Sequence, residues 1–512
     1  MRELIQNFDN SNRLRQQAHR IIPGGAHTYA KGDDQYPLLS PGFIVSGYGS
    51  HVWDVDANEY IEYGMGNRAV GLGHAYAPVL QAVTSELERG CNFTRPSRIE
   101  VECASAFLET VPSAEMVKFC KNGSDATSAA IRLARAATGR DLVAICRDHP
   151  FFSTDDWFIG TTPMNAGIPD AVRNLTVGFR YNDLESARNL FKRYPGRIAA
   201  LILEPSRGED PEDRYLHKLQ TLCHENGALL ILDEMITGFR WHSGGAQHVY
   251  DIVPDLSCFG KALGNGFAIS ALAGKREFMD LGGIEQTGAP RVFLLSTTHG
   301  AETHAMAAAI ATMEVYRHEP VIEHLVRQGT KLRNALNQVA TAHGLQNHFH
   351  VSGHPACLVY ATFDAAGEPS QMFRTLFLQE IIRRGILAPS LVVSYTHSDE
   401  DIEKTIDAIS EALVVYKCAL DHKVETFLMG RPSEHVFRSF NARLPPHHDA
   451  PGTDVAEASL GLGAGLGTGL GIGLGTGSRT GWGADMQADV EAGVAASIAG
   501  VTGLAGRMGQ KT

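Results

Sequence analysis

Three uninterrupted apolar runs of strand length, residues 142–146, 199–203 and 228–232, restrict the fold of this chain more than anything else in it. A strand that is apolar at every position is buried on both faces. The amphipathic, helix-like segments between these runs supply the cover, and that alternation gives a largely parallel sheet inside an α/β domain. The 512 residues, 44% of them hydrophobic, leave room for a second domain. Residues 52–56 and 58–63 read as two short strands around a turn at Ala57-Asn58. Residues 381–387 and a helix from Asp399, capped by Ser398 and acidic in its first turn, predict a smaller α+β unit near the C-terminal side.

Bulk properties exclude several roles. A formal net charge of -12 argues against nucleic acid or an anionic membrane as partner. No segment reaches the ~18 to 20 apolar residues of a membrane span, and the polar N-terminus has no secretory core. The eight cysteines are scattered without a CxxC pair, which predicts free thiols and a cytoplasmic location, and no metal-ligand spacing occurs. Beyond about residue 430 the composition shifts. From Leu460 to Ser478 glycine occupies nearly every second position, all on odd numbers through Gly477, so the gap of three in GxGxxG cannot fit. Such glycine density makes ordering costly. The expectation is a disordered tail, either a dispensable appendage or a partner-binding element.

Chemistry concentrates at two places. Asp233 ends the apolar run 228–232, and Lys261 lies in the bend Gly260-Lys261-Ala262-Leu263-Gly264-Asn265-Gly266. An acid at the carboxyl end of a buried strand sits where open α/β sheets place ligands, although it also suits a helix cap. A lysine between glycines, paired with such an acid, is what a pyridoxal-phosphate enzyme needs: the amine links to the cofactor, and the acid keeps the pyridine nitrogen protonated. Gly123 and Ser124 stand at the start of a strongly helical segment. There, free N–H groups and the helix dipole favour a phosphate, or the pair is a plain N-cap.

At these residues the sequence resembles a known family. Residues from about 20 to 420 are similar to class III, fold-type I pyridoxal-phosphate aminotransferases, and most to their glutamate-1-semialdehyde 2,1-aminomutase branch. The family's N-S-G-T-E-A, I-R-L-A-R and T-G-R are mirrored at 122–126, 131–135 and 138–140, its D-E-V-x-T-G-F-R at 233–240, and its G-K-x-x-G-G-G-x-P from Gly260. Asn265 replaces a glycine of the last motif and Ala268 its proline.

The resemblance implies pyridoxal 5'-phosphate as cofactor, with Lys261 as the Schiff-base lysine and Asp233 at the pyridine nitrogen. It places Gly123 and Ser124 at the phosphate and Met235 against one ring face. Ser296-Thr297-Thr298-His299-Gly300 is similar to the family's S-T-x-x-G-N-P, so Thr297 would reach the neighbouring subunit's phosphate in a homodimer. Ala301 and Glu302 depart from its N-P. The family's Y-H-G is missing, and Phe151 or Phe152 would supply the aromatic face, unless they are core. Where the aminomutase has an arginine for the substrate carboxylate, this chain has Lys31, which is not a conservative exchange. Arg68 is a second candidate for the substrate.

The implied domains are an N-terminal segment (1–60) contributing to the small domain, a large cofactor-binding domain (61–300), a C-terminal small domain (301–430) and the tail (431–512). The implied reaction is amino transfer between a small-molecule amine donor and a carbonyl acceptor. The alternatives are intramolecular amine transfer by an aminomutase, or a silent cofactor-binding scaffold.

Overall fold

The computed structural model describes residues 4–440, apart from 286, 287, 289 and 301. The glycine-rich stretch 460–478 and the alanine- and glycine-rich stretch after it lie outside the described residues.

The expected α/β architecture is present. A seven-stranded sheet has the order Met116–Cys120, Ser270–Gly274, Leu256–Phe259, Leu229–Asp233, Ile198–Leu203, Leu142–Cys146, Thr176–Phe179. The last five are mutually parallel, and Ser270–Gly274 runs antiparallel to both of its neighbours. The three apolar runs form three adjacent strands in its middle, and every residue of these strands is buried. Helices cover the sheet because each shows it one apolar face. Gly123–Thr138 buries Ala126, Ala130, Ile131, Leu133 and Ala134, and ends at Gly139 in the left-handed conformation that a C-cap requires.

The second unit draws on both ends of the chain. Its sheet has the order Ile44–Tyr48, His51–Asp54, Glu59–Glu62, Ile386–Leu387, with Ile61 opposite Ile386 in a parallel pair. The helix Asp399–Leu420 packs beside it, and the Ser398 hydroxyl accepts the Asp401 N–H at 3.1 Å, as the sequence predicts. The helix Thr303–His318, assigned by the sequence reading to the small domain, lies on Ala77–Leu87 and Arg98–Thr110. Residues 431–440, read as the start of the tail, turn back along the N-terminal segment. Arg431 donates to the carbonyls of Asp33 and Asp34, Arg438 pairs with Asp34, and Ser433 is buried against Thr375. All eight cysteines are free thiols. Among the described residues no helix is long and apolar enough to cross a membrane, and no cluster of metal-ligating side chains occurs.

Candidate active site

Five strand ends converge on one edge of the large sheet. Each delivers a polar or flexible segment where backbone hydrogen bonding stops, which is why such edges collect ligands. Asp233 is the last residue of its strand, and Glu204 immediately follows the adjacent strand. Lys261 comes two residues after Phe259, Gly123 three after Cys120, and Phe151 lies in the loop after Cys146.

Asp233 is 3% exposed, and its Oδ1 accepts the Met235 N–H at 3.0 Å. The half-buried Lys261 opens a short 3-10 turn with φ +48°, and its amine makes no hydrogen bond or ion pair with another described residue. Burial drives both toward their neutral forms: it raises the carboxyl, with Glu204 adding, and lowers the amine, while their mutual attraction opposes both shifts. Glu204 behaves oppositely. Burial alone would raise it, but Arg207, His149 and Lys261 hold it below the usual carboxylate range. Arg207 Nη1 reaches both Glu204 oxygens, at 2.6 and 2.9 Å. His149, which burial pushes down to about 4, accepts the Glu204 N–H on Nδ1 at 3.0 Å. Glu204, Arg207 and His149 escaped the sequence reading. The signal for Glu204 was the same as for Asp233, an acid directly after a buried apolar run.

The Gly123 end is built for close approach. A Cβ on Gly123 would stand 2.9 Å from the Met235 sulfur, and one on Gly260 would stand 2.7 Å from that sulfur and 2.5 Å from Ser270 Oγ. Glycine at both positions therefore lets the helix start, the methionine and the lysine turn meet. Ser124 Oγ accepts the Thr154 N–H at 3.0 Å, leaving its own proton to donate. Of the two phenylalanines, Phe152 is core at 2% exposure, while Phe151 is 43% exposed at the site's margin. Thr297 lies exposed on its loop, in a cleft shared with Cys120, Ser296 and Gly300.

The departures from the family motifs have local reasons. Glu302 takes Lys121 Nζ at 2.5 Å and His299 Nδ1 at 2.8 Å, tying the Thr297 loop to the strand end before Gly123. Asn265, at φ +43°, accepts the Leu72 N–H at 2.9 Å and donates to the Gly73 carbonyl at 3.1 Å. It thus fastens residues 65–73 onto the Lys261 turn. In that segment Met65, Gly66, Asn67 and Arg68 have φ of +43°, +59°, +56° and +71° in succession. The left-handed form costs an L-residue about 1–2 kcal/mol, so the three non-glycine residues among these four are held by their surroundings. Lys31 lies exposed in the short turn Tyr29–Lys31, with no bond to the Asp233–Lys261 cluster.

The aminotransferase class-III family profile matches residues 29–413. The chain belongs to the class-III aminotransferases. It is an enzyme of that pyridoxal-phosphate-dependent family, and its fold is the fold-type I architecture expected from the sequence. A glutamate-1-semialdehyde 2,1-aminomutase of Francisella philomiragia is 34% identical over 426 residues, 78% of this chain and 97% of that one. The Sphingopyxis sp. MTA144 FumI protein, solved in its PLP internal aldimine form, superposes with a TM-score of 0.74 at 30% identity, covering 83% of this chain and 98% of FumI. A glutamate-1-semialdehyde aminomutase of Pseudomonas aeruginosa PAO1 shares the fold at a TM-score of 0.69 and 19% identity, over 80% of this chain and 94% of its own.

Proposed function

We propose that this class-III enzyme is an aminotransferase that moves an amino group between an amine donor and a carbonyl acceptor, with Lys261 as the amine that carries its cofactor. The observation that supports this most directly is the Lys261–Asp233 pair. The Lys261 amine, which bonds to no other described residue, is shifted by desolvation toward its nucleophilic neutral form, and its charge interacts with the Asp233 carboxyl, which burial raises. The residues fit pyridoxal phosphate: Asp233 accepts only one backbone N–H and would take the cation of a protonated pyridine nitrogen, and glycine at 123 and 260 lets the helix start, Met235 and the Lys261 turn come together. When bound, this cofactor supplies an aldehyde for the amine and a ring that withdraws electrons from the reacting carbon.

The chain's own residues do the rest. Lys261 would hold the cofactor, and its Nζ would carry the proton removed from the donor carbon. Asp233, as carboxylate, keeps the ring nitrogen protonated and so stabilises negative charge developing at that carbon. Gly123 and Ser124 hold the phosphate through helix N-terminal N–H groups and the Ser124 hydroxyl. Met235 packs on one ring face and Phe151 on the other. Thr297 serves the phosphate of a second subunit, which makes the working form a homodimer. Lys31 and Arg68 serve the substrate, and the enzyme is cytoplasmic.

The 34% identity to an aminomutase favours a second reading, intramolecular amine transfer. Mixing the cofactor-loaded protein with L-glutamate decides between them. Loss of the lysine-bound cofactor's visible absorbance with stoichiometric 2-oxoglutarate supports the aminotransferase. Inertness to amine donors together with isomerisation of glutamate-1-semialdehyde supports the aminomutase instead. A protein that never acquires that absorbance would sink both.

A further inference from the structure

The N-terminal segment that carries Lys31 is fastened from the other end of the chain. Tyr29–Lys31 and Asp33–Gln35 are single 3-10 turns, and none of their residues is buried. Hydrogen-bond geometry in a 3-10 turn is poor, so a segment built of two such turns takes its position from outside contacts. Residues 431–440 supply most of them. Arg431 donates to the Asp33 carbonyl at 2.8 Å and to the Asp34 carbonyl at 3.3 Å, and the Glu434 N–H adds a second bond to the latter at 2.8 Å. Arg438 Nη2 donates to the Asp34 carboxylate at 2.6 Å. From the N-terminal side, His19 Nε2 meets Asp33 Oδ1 at 3.1 Å, and Tyr36 packs on the small core around Phe8 and Tyr60.

Residues 431–440 are themselves anchored in both units of the molecule. Ser433, 2% exposed, donates its N–H to Thr375 Oγ1 at 2.9 Å and accepts Gln371 Nε2 on its hydroxyl at 2.9 Å, both from the helix Gln371–Ile382. Phe437 packs against the core of the large sheet. Gly430 permits the close crossing that precedes them, since a Cβ there would stand 2.7 Å from Leu38 Cβ. The same helix carries Arg374, which donates to the Pro389 carbonyl at 2.8 Å. A Cβ on Gly64 would stand 3.2 Å from the Pro389 ring, so this line of contacts ends where the left-handed turn 65–68 begins. All of these fastenings come from residues beyond 413, where the family profile stops matching. We propose that residues 431–440 are a clasp that positions the segment 29–36 for substrate binding, with Arg431 and Arg438 as its positioning residues. The link to substrate rests on Lys31 serving the substrate, whereas the fastening itself can be measured without it.

The test reads amide hydrogen exchange and steady-state kinetics of the cofactor-loaded, full-length protein. Wild type is compared with the double variant Arg431→Gln/Arg438→Gln, with Arg431→Lys/Arg438→Lys, and with Lys31→Ala. Cofactor absorbance and melting temperature are checked first, to show that each variant is folded and loaded. In the glutamine pair, exchange across 29–36 speeds up about tenfold while the strand Leu229–Asp233 keeps its protection. Its KM for L-glutamate rises about threefold or more, with kcat within about twofold of wild type. The lysine pair keeps both charges without the planar fork and recovers part of each loss. Unchanged exchange in the glutamine pair would overturn the clasp, and so would faster exchange at an unaltered KM. A wild-type KM in Lys31→Ala would remove Lys31 from the substrate, with the KM of the glutamine pair still deciding the clasp. Absence of amino transfer from L-glutamate would count against the aminotransferase reading alone, with exchange across 29–36 still deciding whether the segment is clasped.

Discussion

Asp233 and Asp401 are both buried aspartates, yet the molecule treats them in opposite ways. Asp401, at the start of the helix Asp399–Leu420, accepts from Ser50 Oγ at 2.9 Å, from the Ser398 N–H at 2.9 Å, and from His51 Nε2 at 3.0 Å. Burial alone would raise it, but these donors, His51 foremost, hold it far below the usual carboxylate range. Asp233 accepts one backbone N–H, and burial carries its carboxyl upward. In the unit built from the two chain ends, the Asp401 carboxylate is saturated with donors and serves stability. On the edge of the large sheet Asp233 accepts a single backbone N–H, and a buried carboxyl in that condition is a candidate for binding a cation.

The largest expected effect separates the two regions outright. Lys261→Ala should lower turnover on the order of 10³-fold or more while melting like wild type, measured as 2-oxoglutarate released from L-glutamate. Substantial activity in this variant would remove the basis for the contrast. Next comes the aspartate pair. Asp233→Ala should cut kcat roughly 10²- to 10³-fold with the fold spared, whereas Asp401→Ala should cost roughly 3 kcal/mol in urea melts and keep activity per folded molecule. The reverse pattern would show that the two carboxyls have been assigned to the wrong roles.

Acid probes both regions at once. Burial pushes His149, on the sheet edge, down to about 4 and His397, beside the end-built unit, down to about 3, so each is neutral in the fold. A histidine whose folded value is depressed contributes stability that is present above its ordinary 6.5 and is lost as pH falls toward the folded value. For His149 the full loss is roughly 3 kcal/mol. Melting temperature should therefore fall from pH 6.5 toward 4, and His149→Gln should flatten that slope. An unchanged slope in the variant would show that His149 is protonated in the native state. The smallest change strikes the joint between the regions. Asn265→Ala strands the buried Leu72 N–H and should cost about 1–3 kcal/mol, read by thermal melting.

How much of this was legible in the sequence followed from how local each cause was. The central strands declared themselves by continuous apolar runs, and the observed bounds differ from the reading by one residue at Ile198–Leu203 and Leu229–Asp233. Ser270–Gly274 was missed because Ser-Ala-Leu-Ala-Gly carries almost no strand propensity. Its burial between two neighbouring strands, a tertiary effect, makes it one. Lys261, Asp233 and Gly123 stood out because each is tied to the end of a regular element. Arg240 and Asn265 did not, because their partners lie far away in sequence, Arg68 for one and Leu72 and Gly73 for the other. The difference between Phe151 and Phe152 was likewise set by packing, which buries the second and leaves the first exposed.

The parallel pairing of Ile386–Leu387 with Glu59–Glu62 has a consequence for how the chain is made. Every strand of the large sheet lies between residues 116 and 274, so that sheet can close while the ribosome is still adding the residues that follow it. The N-terminal strands cannot finish until their partner strand emerges. During that interval Glu59–Glu62 presents a bare strand edge.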